Sequence, residues 1–199
     1  MTGTEQNNLF KFETRADYMP WICIFTLFLT AAIILNFQGR VWWCGAGDYV
    51  PWSWTIRSRH NSQHLIDPYT FTHILHGVAE FWIISLIFGK APLRWRLAIA
   101  VGIEGTWEVI ENTNYVIQRY REATISLDYY GDSIINSLSD MTACATGFLI
   151  SYKLRFWRSL ILFFATELVL VLWVRDCLII NIIMLIYPIE AIKAWQAGG

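Results

Sequence analysis

The 199-residue chain is 55% hydrophobic and 16% aromatic but only 16% charged, with eleven Trp and a mean hydropathy of +0.39. A soluble domain carries about a quarter charged residues, so this composition excludes an ordinary soluble globule and implies a polytopic membrane domain with Trp and Tyr at its interfaces. A formal net charge of -1, without an acidic or basic tail, removes the electrostatic case for nucleic acid.

In chain order, residues 1–19 read as a cytoplasmic N-terminal segment, too long and too acidic for a signal-peptide n-region. The run "WICIFTLFLTAAIILNF", 21–37, predicts a retained first spanning helix entered through Pro20. Residues 39–66, rich in Trp and Gly, predict an interfacial loop with its Trp side chains at headgroup level. Further spans are expected over roughly 68–89, 95–117 and 132–152, the last with Asp132 as N-cap after Gly131. The apolar stretch 157–192 is too long for one span, and "RDC" at 175–177 predicts two helices joined by a short turn. The fold class is therefore an all-α polytopic membrane helix bundle of about six helices, with five as the alternative, in a single domain over 1–199. Lys and Arg in alternate connections number nine on the N-terminal side, Lys193 among them, against six on the other. That bias favours a cytoplasmic N-terminus.

The cysteines Cys23, Cys44, Cys144 and Cys177 form no CxxC or zinc-type spacing. Cys23 and Cys144 fall in apolar runs as small hydrophobes. Cys44 and Cys177 are expected on one membrane side, where a disulfide between them is an option.

All four histidines lie in "RSRHNSQHLIDPYTFTHILHG", 57–77. Ionisable residues within a span cost about 2.5 kcal/mol or more each and normally face a bundle interior or a cavity. Here they fall in register. His73, His76 and Glu80 share one helix face, as do Glu104, Glu108 and Glu111, and Asp132, Asn136 and Asp140 with Ser133 and Ser137 alongside. Three such stripes on successive helices predict one polar cleft near the outer surface, with His60, His64 and Asp67 at its rim. Helix–helix hydrogen bonding without chemistry is the competing reading.

Several chemistries fit these residue types. A divalent metal, zinc foremost, takes imidazole and carboxylate ligands of the kind His64, His73, His76, Glu108 and Asp132 supply. Asp67 and Glu111 join that set as acid/base candidates. Phosphoryl chemistry on a lipid would need fixed cations, for which Arg59, Arg119 and Arg121 are candidates, with snorkelling anchors as the alternative. Tyr129, Asn112, Asn136 and Asp140 complete the substrate-binding set. An aspartic peptidase dyad of Asp132 with Asp140 or Asp67 is a further option, but Asp132 and Asp140 are separated by about 12 Å along one helix, so a dyad would need Asp67 or another helix. Polar stripes confined to one half of the bilayer argue against alternating-access transport. Glu190 and Lys193 read as an i, i+3 surface pair.

The stretches "SQHLIDPYTFTHILHG" and "WEVIENTNYVIQRYREATISLDYYGDSIINSLSDMTACATGF", with "EAIKAWQ" near the C-terminus, resemble a family of small proteobacterial inner-membrane proteins classed as a domain of unknown function. The resemblance implies a six-helix-type inner-membrane protein and by itself implies no activity. More distantly, the order Asp67, His73, Glu108, Arg119, Asp132, Asn136, Gly147 is similar to the VanZ-like superfamily, which is associated with glycopeptide resistance and the cell envelope. This chain departs from it in its additional His, Glu and Asp residues, and in "EVIE" where Glu-x-x-Gln is usual.

The expectation is thus a bacterial inner-membrane protein with its cleft facing the periplasm. It would act as a metal-dependent hydrolase or group transferase on a lipid or lipid-linked, phosphate-containing envelope substrate. The alternatives are a non-catalytic envelope assembly or resistance factor and an intramembrane aspartic-type peptidase.

Overall fold

The computed structural model describes residues 14–124 and 129–198. Lys11 and the rest of 1–13 in the expected N-terminal segment lie outside the described residues. Among the described residues there are seven helices and no strand, the only β-type pairing being an isolated bridge between Trp52 and Ile66. Among the described residues three helices are long and apolar enough to cross a membrane, fewer than the expected six.

The first, α1 (Arg15–Phe37), begins ahead of Pro20, because the Thr14 N–H donates to Asp17 Oδ2 at 2.8 Å and closes a capping box. The second, α2 (Thr70–Ile87), leads through a short turn to α3 (Leu93–Glu111). The start of α3 is tied to the start of α1 by the Arg94–Asp17 ion pair. The expected helix over 95–117 breaks at Asn112, which caps α3, and Thr113 starts the amphipathic α4 (Asn114–Ala123) by accepting from Val116 N. With Arg94, Arg96, Glu104, Glu108 and Glu111 along its 19 residues, α3 falls short of the apolarity of a free-standing span.

The long helix α5 (Ile134–Val174) is capped by Ser133, whose Oγ accepts from Asn136 N at 3.1 Å. Asp132 is therefore not the cap. At Arg155 (φ 66°, ψ 174°) the helix reverses into two arms, and the Ser151 and Ser159 hydroxyls meet across the turn at 3.1 Å. The second arm climbs back along α2: Phe156 packs on Trp82, and Trp173 on Phe71 beside the α2 start. Beyond Arg175 (φ 57°, ψ 32°) the chain forms only α6 (Leu178–Ile186), nine residues or about 13 Å, and α7 (Glu190–Ala197). The expected final span is absent because Pro188 draws Tyr187 into an extended conformation and stops α6.

Consequently α6 and α7 sit at the end of the bundle that holds the 38–69 loop. Arg57 donates to the Gln196 carbonyl, and Lys193 Nζ donates to the Glu122 carbonyl at 2.6 Å. Lys193 therefore faces α4 rather than pairing with Glu190, and it leaves the N-terminal-side charge set. The nine-to-six bias becomes eight to seven.

The core lies between α1, α2, α3 and the first arm of α5, where Phe81, Leu97, Val101, Met141 and Phe148 are buried together. Two glycines let α2 and α5 touch. A Cβ at Gly77 would stand 1.9 Å from the Cys144 carbonyl oxygen, and one at Gly147 would stand 2.0 Å from that of Ile74. That close approach brings the His73 face of α2 against the Asp140 face of α5.

Candidate functional site

At the end where α2 and α5 begin and α3 ends, a cavity of about 260 Å³ is lined by His73, His76, Glu111, Tyr129, Asp132 and Asp140. Tyr69, Trp107, Tyr120, Asp176 and Asn181 are among its other polar lining residues, and Leu178, Ile182, Leu185 and Ile186 of α6 form an apolar wall. The three stripes thus converge, as their register predicts. Among the residues lining the cavity none is Lys or Arg.

Behind the two lining histidines lies the buried Glu104, which accepts from His73 Nδ1 at 2.5 Å and from His76 Nδ1 at 3.0 Å. A carboxylate bonded to Nδ1 fixes each imidazole's tautomer and leaves Nε2 available. The His73 Nε2 lies 3.9 Å from Asp140 Oδ2. Glu108 is fully buried, 3.4 Å from His73 Nδ1, yet neither of its carboxylate oxygens has a hydrogen-bond partner; Asp140 Oδ1 likewise has none. Glu111 accepts from Tyr120 and Trp107. Ligand atoms of His73, Glu108 and Asp140 all lie within 4.8 Å of one another, as do those of Glu108, Glu111 and Asp132, and of His73, His76 and Glu104. Farther along α2, Glu80 Oε2 accepts from the Cys144 thiol at 3.3 Å.

Asp132 forms the cavity's other wall. It accepts from Asn112 Nδ2 at 2.8 Å and Tyr129 Oη at 3.0 Å, while Asn112 Oδ1 accepts from the Asp132 N–H at 2.7 Å. Burial pushes its carboxyl above the usual range, against those hydrogen bonds. Gly131 (φ +93°) permits this turn, since a Cβ there would meet Arg40, Ile117 and Asn112. Asp176, which accepts from Tyr69 Oη at 3.0 Å, is pushed up to about 6 by burial.

Several sequence candidates stand elsewhere. Asp67 is buried behind the cavity, where its Oδ1 accepts from Tyr69 N and Thr70 N, and burial pushes it up to about 6. It braces the turn that leads into α2 rather than forming a cavity wall. His64 does not join His73: its Nδ1 meets the Val50 carbonyl at 2.5 Å and its Nε2 faces His60. The proposed ligand set His64, His73, His76, Glu108 and Asp132 therefore divides, with His64 in a separate cluster alongside Cys44 and His60. Asn136 donates to the His64 carbonyl at 2.8 Å and belongs to the packing of the loop. Arg119 donates to the carbonyls of Leu185 and Ile186, the open C-terminal end of α6, and Arg121 stacks 4.9 Å over the Tyr130 ring. Neither lines the central cavity. Arg59 lines an adjoining cavity of about 460 Å³ with Arg40, and Asn61 and Asp132 border both cavities. The four cysteines are free, with Cys44 and Cys177 in different clusters.

Trp107, Tyr120, Asp176 and Asn181 are site residues that the sequence does not single out, and Glu104 is expected on the cleft-facing stripe but not among the ligands or acid/base groups. Glu104 was signalled by its i, i+4 spacing to Glu108. Asp176 and Asn181 carried no signal, because they reach the cavity only through the return of α5 and the short α6.

Residues 35–198 match the family described as protein of unknown function (DUF2585). Among curated relatives, a UPF0314 protein of Brucella anthropi is 44% identical over 179 residues, covering 89% of this chain and 90% of its own. A UPF0314 protein of Sphingopyxis alaskensis is 42% identical, covering 90% of this chain and 95% of its own. One of Rhizobium meliloti is 44% identical, covering 83% of this chain and 84% of its own. No solved structure matches significantly. With the match running from the end of α1 through α7, the chain belongs to this DUF2585 (UPF0314) family of proteobacterial proteins.

Proposed function

We propose that the protein is an inner-membrane enzyme, a divalent-metal-dependent hydrolase or group transferase acting on a lipid or lipid-linked, phosphate-bearing envelope substrate. The observation that carries this reading is the uncompensated charge of the cleft. Glu111, Asp132 and Asp140 line the cavity and Glu104 and Glu108 are buried against them, with only two imidazoles and no Lys or Arg in the lining. The Glu108 carboxylate has no hydrogen-bond partner, its nearest basic group being His73 at 3.4 Å. Buried carboxylates without a counter-charge are costly, and a divalent cation offsets that cost while filling a natural ligand set of imidazole and carboxylate.

His73, Glu108 and Asp140 are the residues we assign to the metal, with Glu111 and Asp132 on its open side. When bound, such an ion polarises a phosphoryl or carbonyl oxygen and acidifies a water. Glu104 holds His73 and His76 in one tautomer. Tyr129 and Asn112 hold Asp132, whose raised pKa suits it to carry a proton. The apolar α6 wall fits a hydrocarbon chain opposite this polar wall. With Arg119 and Arg121 engaged elsewhere, Arg59 in the adjoining cavity is the cation placed to meet a phosphate.

In this reading the bundle makes five passes: α1, α2, α3 and the two arms of α5. The N-terminus is cytoplasmic and the cleft opens toward the periplasm. Lipid mass spectrometry of a deletion strain tests the reading. A phosphate-bearing lipid class should accumulate, wild-type protein should restore the profile and Glu108→Gln should not. An unchanged lipid profile, or full rescue by Glu108→Gln, refutes it.

A further inference from the structure

A second group of metal-type ligands lies outside the cleft, in the 38–69 loop. Cys44 Sγ stands 3.4 Å from His60 Nδ1, His64 Nε2 stands 3.4 Å from the same Nδ1, and Asp48 Oδ2 stands 3.8 Å from it. Cys44 and His64 are buried, whereas the side chains of His60 and Asp48 are 36% and 38% exposed. No placement of hydrogens satisfies His60 Nδ1 toward all three neighbours at once, since one ring nitrogen offers either a single N–H or a single lone pair. A cation at their centre serves all of them. Ligands about 2.0 to 2.3 Å from a tetrahedral zinc lie roughly 3.3 to 3.6 Å from one another. The Cys44–His60 and His60–His64 separations match this, the ligand atoms of all three residues lie within 4.8 Å of one another, and Asp48 stands slightly farther off on the exposed side.

The surroundings also prepare these atoms. His64 Nδ1–H donates to the Val50 carbonyl at 2.5 Å, so its Nε2 carries the lone pair and points at His60, the orienting bond that ligating histidines usually make. Asp48 Oδ1 accepts from Val50 N at 2.9 Å, leaving Oδ2 toward His60, and Trp43 Nε1 donates to the Asp48 carbonyl at 2.7 Å. The loop has no helix or strand to hold it, and its isolated bridge is limited to the backbone bonds joining Ser53 and Ile66 and joining Ile66 and Pro51.

We infer that Cys44, His60 and His64, with Asp48 as the fourth ligand, form a structural zinc site that staples this loop. Binding removes the Cys44 thiol proton to solvent and takes both imidazoles neutral. The exposed His60–Asp48 side is the entry path. The site bears on the cleft by position. Ser133 N donates to the Ser62 carbonyl at 3.0 Å and Asn136 Nδ2 to the His64 carbonyl at 2.8 Å, so residues 61–64 dock on the α5 start, and Asn61 and Ser62 line the central cavity. The inference stands independently of the chemistry proposed for the cleft.

Cobalt(II) titration of the full chain in detergent is the test. Wild-type protein should develop a thiolate-to-cobalt charge-transfer band that saturates at one equivalent and is displaced by zinc. Cys44→Ser should abolish the band, His60→Gln should weaken cobalt affinity at least tenfold, and Glu108→Gln should leave the band intact. As a check that needs no variant, zinc should slow maleimide modification of Cys44 at least tenfold, read by peptide mass spectrometry. Absence of the band in wild-type protein, its persistence in Cys44→Ser, its loss in Glu108→Gln, or an unprotected Cys44 would each overturn the assignment. Failure of the cleft reading is read separately, as total bound metal that Glu108→Gln does not lower.

Discussion

Glu108 is where the site and the fold oppose one another most sharply. Its carboxylate is buried among Asp140, Asp132, Glu111 and Glu104 without a hydrogen-bond partner. In metal-free protein Glu108→Gln should therefore raise stability by about 1 to 3 kcal/mol, seen as a higher Tm in detergent, while abolishing the metal-dependent increment that the proposed site predicts for wild type. A lower Tm in the metal-free variant would make Glu108 a structural group instead. Asp67 gives a pH prediction. Burial raises its carboxyl from 3.8 to about 6, so its stabilising contribution is complete below about pH 4 and is lost as pH rises through 6. The variant Asp67→Asn keeps an acceptor for Tyr69 N and Thr70 N, and it should flatten the fall in Tm between pH 4 and 7, a difference of about 3 kcal/mol. Equal slopes in the two proteins would refute this.

Among the elements, the α2–α5 contact and the α5 reversal carry the architecture. Gly77→Ala or Gly147→Ala forces a methyl group against a backbone carbonyl, and each should cost about 1 to 3 kcal/mol or more, measured as a Tm drop or as loss of folded protein. Arg155→Gly should hold or increase stability by about 1 kcal/mol, since φ 66° and ψ 174° belong to glycine's range; a marked loss would show that the arginine side chain holds the turn. The stripes on α2, α3 and α5 were legible because helical register alone fixes which side chains share a face. The end of α3 was not, because it depends on Asn112 reaching Asp132 across 20 residues. Nor was the end of the last helix. Hydropathy alone joins 157–192, and only Arg175 and Pro188 divide it into one long arm and two short helices.

For the whole molecule, the return of the second α5 arm places Arg15 and Gly198 at opposite ends of the bundle. Reporter fusions or cysteine labelling at the two termini should accordingly report opposite membrane faces; a shared face would contradict the five-pass reading. Membrane character and a common cleft could be read from composition and spacing. The partition of His64 from His73, and of Arg119 from the cavity, could not, because both depend on the irregular 38–69 loop and the short α6, whose paths no periodicity encodes. That short helix has one more consequence. Ile182 and Ile186 line the cavity and are also 48% and 75% exposed on the apolar flank, so the recess opens sideways into oil as well as upward into water. For the proposed lipid substrate, that door would let the tail stay in the bilayer while the acids meet only what the tail carries, so recognition should depend weakly on acyl length.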